Sequence, residues 1–439
     1  MSFITDKQTL DDLNLTGKYK ANSLFSLFNR VQTAGGERLL EKLFKEPLTD
    51  AAVINQRSRL FQYFHQKQFR FPFATSSLAD AEYYLSLPGN AVKPFAAAGL
   101  LKQKLLKSLV HDEQYDKTIT GLQAAITLLQ TAAQFLQQLS GYPQPETLLP
   151  VNQLLNDSRL QGWQQIQPQQ LSTQQVARYH HLLLHVFRHE MDAVLELVYH
   201  WDVCIAVAGV AQERGLHYGH ALPAGAHTFS CAGLSHPGLT KAVANPMAFH
   251  PQQNLLFLTG ANMAGKSTLM KSFGIAIYMA HMGFPVAARE LRFSVMDGLY
   301  TSINVPDNLN QGYSHYYAEV LRVKKVAEEV SRGHNLVVIF DELFKGTNVK
   351  DAYDATLAVT EALADYRNCF FIISTHIIEV GDALQQRGAA VAFGYLPTVM
   401  EGAVPRYTYT LTTGITNDRQ GMMIIQNEGI LSLLDTHSN

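Results

Sequence analysis

"TGANMAGKST", residues 259–268, stands directly after the apolar run "NLLFL" and directly before a stretch with helical periodicity. Gly260, Gly265, Lys266 and Ser267 fit G-x-x-x-x-G-K-[ST], the phosphate-binding P-loop. Glycines let the backbone curl so that its N–H groups face a polyphosphate, and the following helix N-terminus adds partial positive charge. In this pattern Lys266 reaches the β- and γ-phosphates and Ser267 sits on Mg²⁺, with Asn262 and Thr268 completing the nucleotide-binding set. A chance match in a Gly-rich turn lacks the preceding strand and following helix that this stretch has. Whether the loop only binds a nucleotide or also hydrolyses it has to be read elsewhere.

The whole chain bounds the alternatives. Its 439 residues suggest more than one domain, and 47% hydrophobic against 16% charged residues marks it as globular. Lys and Arg total 35 against 37 Asp and Glu, so no global field favours nucleic acid and any such contact must be local. Cys204, Cys231 and Cys369 are scattered without metal-like spacing, which fits a reducing cytoplasm. The opening "MSFITDKQTLDDL" lacks a signal-peptide layout, and no uncharged apolar run is long enough to span a bilayer.

The sequence changes character near residue 215. Before it, apolar residues recur at three and four, as in Leu24, Leu27, Phe28 and Val31, then Leu39, Leu40, Leu43 and Phe44. Residues 176–213 read as one very long helix, and the Pro- and Gln-containing 141–171 as a loop or break. His181, His185 and His189 are four apart, a spacing that a helix face explains better than a metal site lacking Cys or carboxylate companions. After residue 216, strands at 254–259, 299–303, 336–340 and 369–374 alternate with helices at 266–282, 314–331 and 352–365. That alternation predicts a largely parallel sheet with packed helices, and puts the glycine loop at the carboxyl end of a strand.

Two further strand ends carry chemistry. "LVVIFDELFKGT" (336–347) closes a buried strand with Asp341 and Glu342. Asp341 is expected to help hold Mg²⁺, and Glu342 to orient or deprotonate the attacking water. "FFIISTHIIEV" (370–380) ends its strand in Ser374, Thr375 and His376, and a His there is placed to hydrogen-bond a γ-phosphate or the water. Between them, "DNLNQGYSHYYAEVLRVKKV" (307–326) leads from a polar loop into an amphipathic helix with Ser314 as a candidate N-cap. Glu319 on that helix reads equally well as part of a solvated face.

At this point the chain resembles the MutS family of DNA mismatch-repair ATPases. The glycine loop, the 307–319 segment, "DELFKGT" and "STH" follow the family's order and spacing, "SHPGL" and "VANPMAF" resemble its lead-in strands, and residues 23–64 are similar to the start of its helical core. The resemblance implies an N-terminal all-helical lever or core domain (1–215) followed by an ABC-type P-loop NTPase domain (216–439). It implies ATP and Mg²⁺ as cofactors, a homodimer whose ATPase domains face each other, and Ser314 acting in trans on the partner's γ-phosphate. It further implies DNA as partner and other repair proteins as possible ones.

Departures accompany the resemblance. Ala261 and Ala264 replace a usual Pro and Gly, Phe344 stands where a small residue is usual, and Ala352 where Gly is usual. The aromatic expected before "ANP" to cover adenine is Ala242. About twenty residues precede the helical core, so mismatch-reading and connector domains are expected to be missing and the DNA clamp short or absent. The expectation is an ATP-switched protein that binds DNA weakly and by shape. Lys102, Lys104 and Lys107 are candidate phosphate contacts, although spaced helix lysines are usually solvated. The other class left open is an ATP-switched protein-interaction module without direct DNA recognition.

Overall fold

The computed structural model describes residues 2–17, 20, 22–87, 113–261, 263–303, 315–401, 404–416, 429–430 and 433. An N-terminal helical region precedes a C-terminal α/β sheet domain. Two compact units result: Met1–Phe28, Leu43–Ser58 and Val210–Asn439 form one, and Asn29–Lys42 with Arg59–Gly209 form the other. Residues 1–28 and 43–58, expected in the helical domain, therefore group with the sheet. The reason is specific bonding. Ile4 N–H donates to the Asp297 carbonyl at 2.8 Å, and Leu299 N–H donates to the Ile4 carbonyl at 2.9 Å, which lays the N-terminal segment along a sheet edge. Gly298 permits this, since a Cβ there would come within 2.4 Å of the Ile4 carbonyl oxygen.

Among the described residues the main sheet has six strands, in the order Thr412–Thr413, Ala392–Tyr395, Leu255–Thr259, Phe370–Ser374, Leu336–Asp341 and Gly298–Ser302. Every neighbouring pair is parallel except the one containing Thr412–Thr413. The central strands are buried along their length because both faces are covered, which is why they read as unbroken apolar runs rather than alternating ones. A second sheet of four strands, His220–Leu222, Glu290–Ser294, Phe229–Leu234 and Asn245–Phe249 in spatial order, was not legible as a sheet in the sequence.

The helix Lys266–His281 is buried from Ser272 to its end. A helix apolar all round belongs inside a fold. Its last residue, His281, is fully buried between two backbone partners. Nδ1 contacts the Ile277 carbonyl at 2.7 Å, and Met296 N–H donates to Nε2 at 3.0 Å, so the neutral tautomer with its proton on Nδ1 satisfies both.

The helical unit contains Thr75–Ser86, Glu113–Gln138, Leu149–Leu155 and Thr173–His181, together with Arg188–Arg214 up to Gly209. Leu149–Leu155 falls in the segment expected as a loop or break. The expected single helix over 176–213 is interrupted by a π-helical turn, Leu182–Val186, where Phe187 N–H reaches back to the Leu182 carbonyl. Arg188–Arg214 is long and apolar enough to cross a membrane by composition, yet Val194, Val198 and Trp201 are fully buried within the unit. Trp201 packs edge-on against Phe135 at 4.9 Å. Tyr84 shares a 2.9 Å hydrogen bond with buried His180, and Gly121 allows its helix to approach Tyr84.

Burial pushes the His281 imidazole down to about 4 from an ordinary 6.5. The unfolded chain therefore binds the proton first as pH falls. The neutral ring's contribution is complete above pH ~6.5, declines as pH falls from there, and is exhausted near pH ~4, about 3 kcal/mol in all. Denaturant titrations at a series of pH values should show a shallower acid loss for His281→Gln than for the wild type between these limits. Parallel curves would contradict this account.

Candidate functional site

The site forms where three parallel strands end level. Ser374 pairs with Leu258 on one side and with Asp341 on the other, so the residues just beyond these positions emerge at one sheet edge. The glycine loop departs from the first strand. Gly260 (φ 135°) and Gly265 (φ 100°) occupy left-handed conformations that side chains rarely adopt, and Met263 joins them at φ 69°. Helix Lys266–His281 begins immediately after Gly265, directing its first N–H groups into the loop.

Lys266 is 5% exposed and folds back on its own loop, donating to the carbonyls of Gly260 at 2.7 Å and Ala261 at 3.1 Å. Burial lowers its pKa, opposed by the nearby charges of Asp341 and Glu342. Ser267 Oγ donates to Asp341 Oδ2 at 2.7 Å. The other carboxylate oxygen, Oδ1, is buried without a hydrogen-bond partner. A hydroxyl and a carboxylate in contact, with one lone oxygen to spare, are the hard donors that Mg²⁺ takes while keeping several waters. These residues fit the ion.

Glu342 follows Asp341 with φ 56°, and its N–H donates to the Ser374 carbonyl at 2.9 Å. This turn aims its carboxylate at the third strand end, where His376 Nε2 hydrogen-bonds Oε1. Lys345 lies 3.6 Å from Oε2. The His376 bond outweighs the effect of burial and holds the Glu342 carboxyl down at about 2. Phe344 is also left-handed, at φ 61°, and its ring is buried edge-on against Tyr316 at 6.2 Å. Gly346 touches the same residue, since a Cβ there would meet the Tyr316 nitrogen at 2.8 Å. The segment after the Asp-Glu pair is thus packed onto helix His315–Ser331. Glu319 on that helix is 4% exposed, so the solvated-face reading is corrected: it lies on the packed side.

Ala242 shares its surroundings with an aromatic residue from a distant part of the chain, Tyr409. A pocket of about 330 Å³ opens beside the loop, lined by Ala242, Val243, Gly265, Thr268, Leu269 and Tyr409. Buried Asn245 fixes Tyr409: its Nδ2 donates to the Tyr409 carbonyl at 3.0 Å and its Oδ1 accepts from Leu411 N–H at 2.6 Å. Tyr409 itself is left-handed at φ 56°. Its only sequence signal was the alternation of Tyr407 and Tyr409 in "RYTYTL", far from the loop it covers.

The structure therefore brings Gly260, Gly265, Lys266, Ser267, Thr268, Asp341, Glu342 and His376 to one edge. Asn262, Ser314 and the lysines at 102, 104 and 107 lie outside the described residues. Among the described residues no group of three His, Cys, Asp or Glu side chains is arranged to hold a metal, His181 and His185 included.

Removing the His376 bond should release Glu342. In carboxyl-labelled protein, carbon NMR is expected to show Glu342 ionised down to about pH 2 in the wild type, and titrating nearer its ordinary 4.5 in His376→Ala. An unchanged titration would remove the His376 contact as the cause.

Two family models match the chain, MutS domain III over residues 8–208 and MutS domain V over residues 256–433. Domain V is the ATPase domain of that family, and its match contains the glycine loop, Asp341, Glu342, His376 and Tyr409. With the two matches covering both halves of the sequence in succession, the chain belongs to the MutS family of mismatch-repair proteins.

Proposed function

We propose that this protein binds MgATP at the glycine loop, hydrolyses it slowly, and uses the bound state to switch its helical part on DNA. The observation that carries the reading is the Ser267–Asp341 hydrogen bond with the Glu342–His376 pair beside it. It is a P-loop helix joined to a carboxylate strand, with a water-directing group one residue on.

Lys266 leaves the Gly260 and Ala261 carbonyls and donates to the β- and γ-phosphates. Ser267 and Asp341 would hold Mg²⁺, which would supply charge neutralisation at the phosphate oxygens. The pocket lined by Tyr409, Ala242 and Val243 would take the base. A carboxylate held near 2 is a poor proton acceptor in the ground state. Glu342 therefore acts mainly by aligning the attacking water, and His376 fixes which way its carboxylate points.

Met263 and Val349 are 75% and 76% exposed, on the glycine loop and on the helix that follows the Asp-Glu segment. Apolar residues left open beside the site support a two-fold pairing of ATPase faces, the arrangement in which Ser314 acts on the partner's nucleotide. Contact with DNA rests on family membership and is directed at phosphates, which carry little sequence information. The near-balance of 35 basic and 37 acidic residues supports weak binding selected by shape, in the cytoplasm where repair proteins are its further partners.

Lys266→Ala should lose ATP affinity. Glu342→Gln should bind ATP normally and hydrolyse it about 10²–10⁴ times more slowly. Tyr409→Ala should bind about 5–150-fold more weakly through lost stacking. Equilibrium binding and phosphate release measure all three, and wild-type turnover by Glu342→Gln would reject the assigned role.

Glu342→Gln with ATP is also the species in which to observe assembly. Light scattering should give a dimer that dissociates without nucleotide, and matched and mismatched duplexes should compete equally for it at fixed salt. A monomer at high concentration removes the trans role of Ser314. A clear mismatch preference defeats shape selection, and failure to bind any DNA favours the protein-interaction reading.

A further inference from the structure

Three basic side chains from three separate elements line one cavity of about 630 Å³ outside the glycine-loop site. Arg214 ends the helix Arg188–Arg214, His236 follows the strand Phe229–Leu234, and Lys271 lies on the helix Lys266–His281. The charges of Arg214 and Lys271 around one space repel unless something of opposite sign sits between them, while His236 adds a neutral donor.

Among the described residues that counter-charge is supplied only in part. Among the described residues lining the cavity Asp12 is the only carboxylate, and its Oδ2 accepts from Thr301 Oγ1 at 2.7 Å and Ile303 N–H at 2.9 Å. Arg214 has Glu213 beside it, but at 3.4 Å from Nε this is a loose, half-exposed contact. Nε itself is buried and makes no hydrogen bond. Lys271 forms no ion pair with a described residue. His236 accepts Gly238 N–H on Nδ1 at 3.2 Å, so its neutral tautomer carries the proton on Nε2 and is a donor without needing a charge. Burial, and then the charge of Lys271, keep that ring in the neutral form.

We propose that this cavity binds a small phosphate-bearing molecule, as an anion site distinct from the glycine loop. Guanidinium, ammonium and imidazole donors approaching from different elements suit a group with several acceptor oxygens better than they suit a planar carboxylate. The volume lies within the range of small-molecule sites, roughly 300–1,000 Å³. Leu24, Leu27 and Ile275 give the cavity an apolar wall, which suits an organic phosphate with a base or similar flat group.

The position gives binding a route to the nucleotide site. His236 and Leu239 line both this cavity and the pocket beside Tyr409. Lys271 stands one helical turn beyond Ser267 on the same helix. A ligand held by Lys271 and His236 thus presses on the helix that carries Lys266 and on the wall of the base pocket.

The test uses the full chain with Lys266→Ala, so that the glycine loop no longer competes, titrated calorimetrically with tripolyphosphate and, separately, with AMP. Saturable binding at one site per chain is expected. It should weaken about tenfold or more when either Lys271→Gln or Arg214→Gln is added, the loss of one charge-assisted hydrogen bond. Circular dichroism establishes that each variant is folded, and Lys271 is partly exposed, so its replacement spares the core. Tighter binding of AMP assigns the site to an organic phosphate, and tighter binding of tripolyphosphate to an inorganic one. No saturable binding of either probe by the folded chain, or binding that both substitutions leave unchanged, overturns the proposal. ATP binding by the chain with Lys266 intact, measured alongside, separates that outcome from a failure of the ATPase reading.

Discussion

The hydrogen bond from Ser267 to Asp341 joins residues 74 apart in sequence, and the candidate site depends on it. It forms only because the strands before the two residues run side by side through their neighbour with ends level. The register is set by burial rather than by the site. Leu336 to Phe340 and Phe370 to Ile373 are at most 1% exposed, so both faces of each strand are packed. A slip of one residue would pull Asp341 or Ser374 into an apolar layer and push a large side chain out of it. Hydrophobic packing thereby fixes the chemistry to within a hydrogen bond, although no apolar residue of these strands takes part in it.

The turn after Asp341 shows the opposing forces at closer range. Glu342 and Phe344 both sit at positive φ, which costs about 1–3 kcal/mol apiece for residues that are not glycine. Burying the Phe344 ring contributes about 1.5–3 kcal/mol, enough to offset its own strain. The Glu342 strain is met by its N–H bond to the Ser374 carbonyl and by the His376 contact. A glycine at 344 would relax the backbone but give up the contact with Tyr316. The large residue here trades local ease for a fixed connection between the carboxylate turn and helix His315–Ser331.

Much of this was legible in the sequence because each signal was local. The glycine pattern with its strand and helix, the carboxylates closing an apolar run, and the histidine closing the next all report short-range geometry. The strands observed at Leu255–Thr259, Leu336–Asp341 and Phe370–Ser374 lie within a residue or so of those expected. What escaped notice depended on distant partners. Tyr409 covers the loop only because Asn245, far upstream, bonds to both sides of it. Glu319 looked solvent-facing because periodicity does not reveal what a helix packs against. The interruption at Leu182–Val186 leaves no mark in composition, since a π-turn uses the same leucines that continue a helix. The grouping of residues 1–28 with the sheet rests on the Ile4 bridge, on polar bonds and on apolar contacts such as Phe3 with Tyr278 and Phe28 with Phe284, none of which a local pattern announces.

Those polar bonds impose a last constraint. Asp6 caps the helix Lys7–Asp12 and pairs with Arg322 and, at 2.8 Å, with Lys325. Burial alone would raise its pKa, but the bonds from Arg322 and Lys325 prevail and hold the carboxyl well below the ordinary range. Arg322 also donates to the Thr301 carbonyl, while Asp12 accepts from Thr301 and Ile303. The first twelve residues therefore grip the chain both at Ile303 and along the helix that begins at His315, on either side of the segment carrying Ser314. Removing one partner of the mostly buried Asp6–Arg322 pair leaves a charge uncompensated and costs up to about 3–5 kcal/mol, so that grip is not easily released. Among the described residues, the N-terminal segment thereby ties the strand Gly298–Ser302 to the helix His315–Ser331, through Asp12 on the strand side and Asp6 on the helix side.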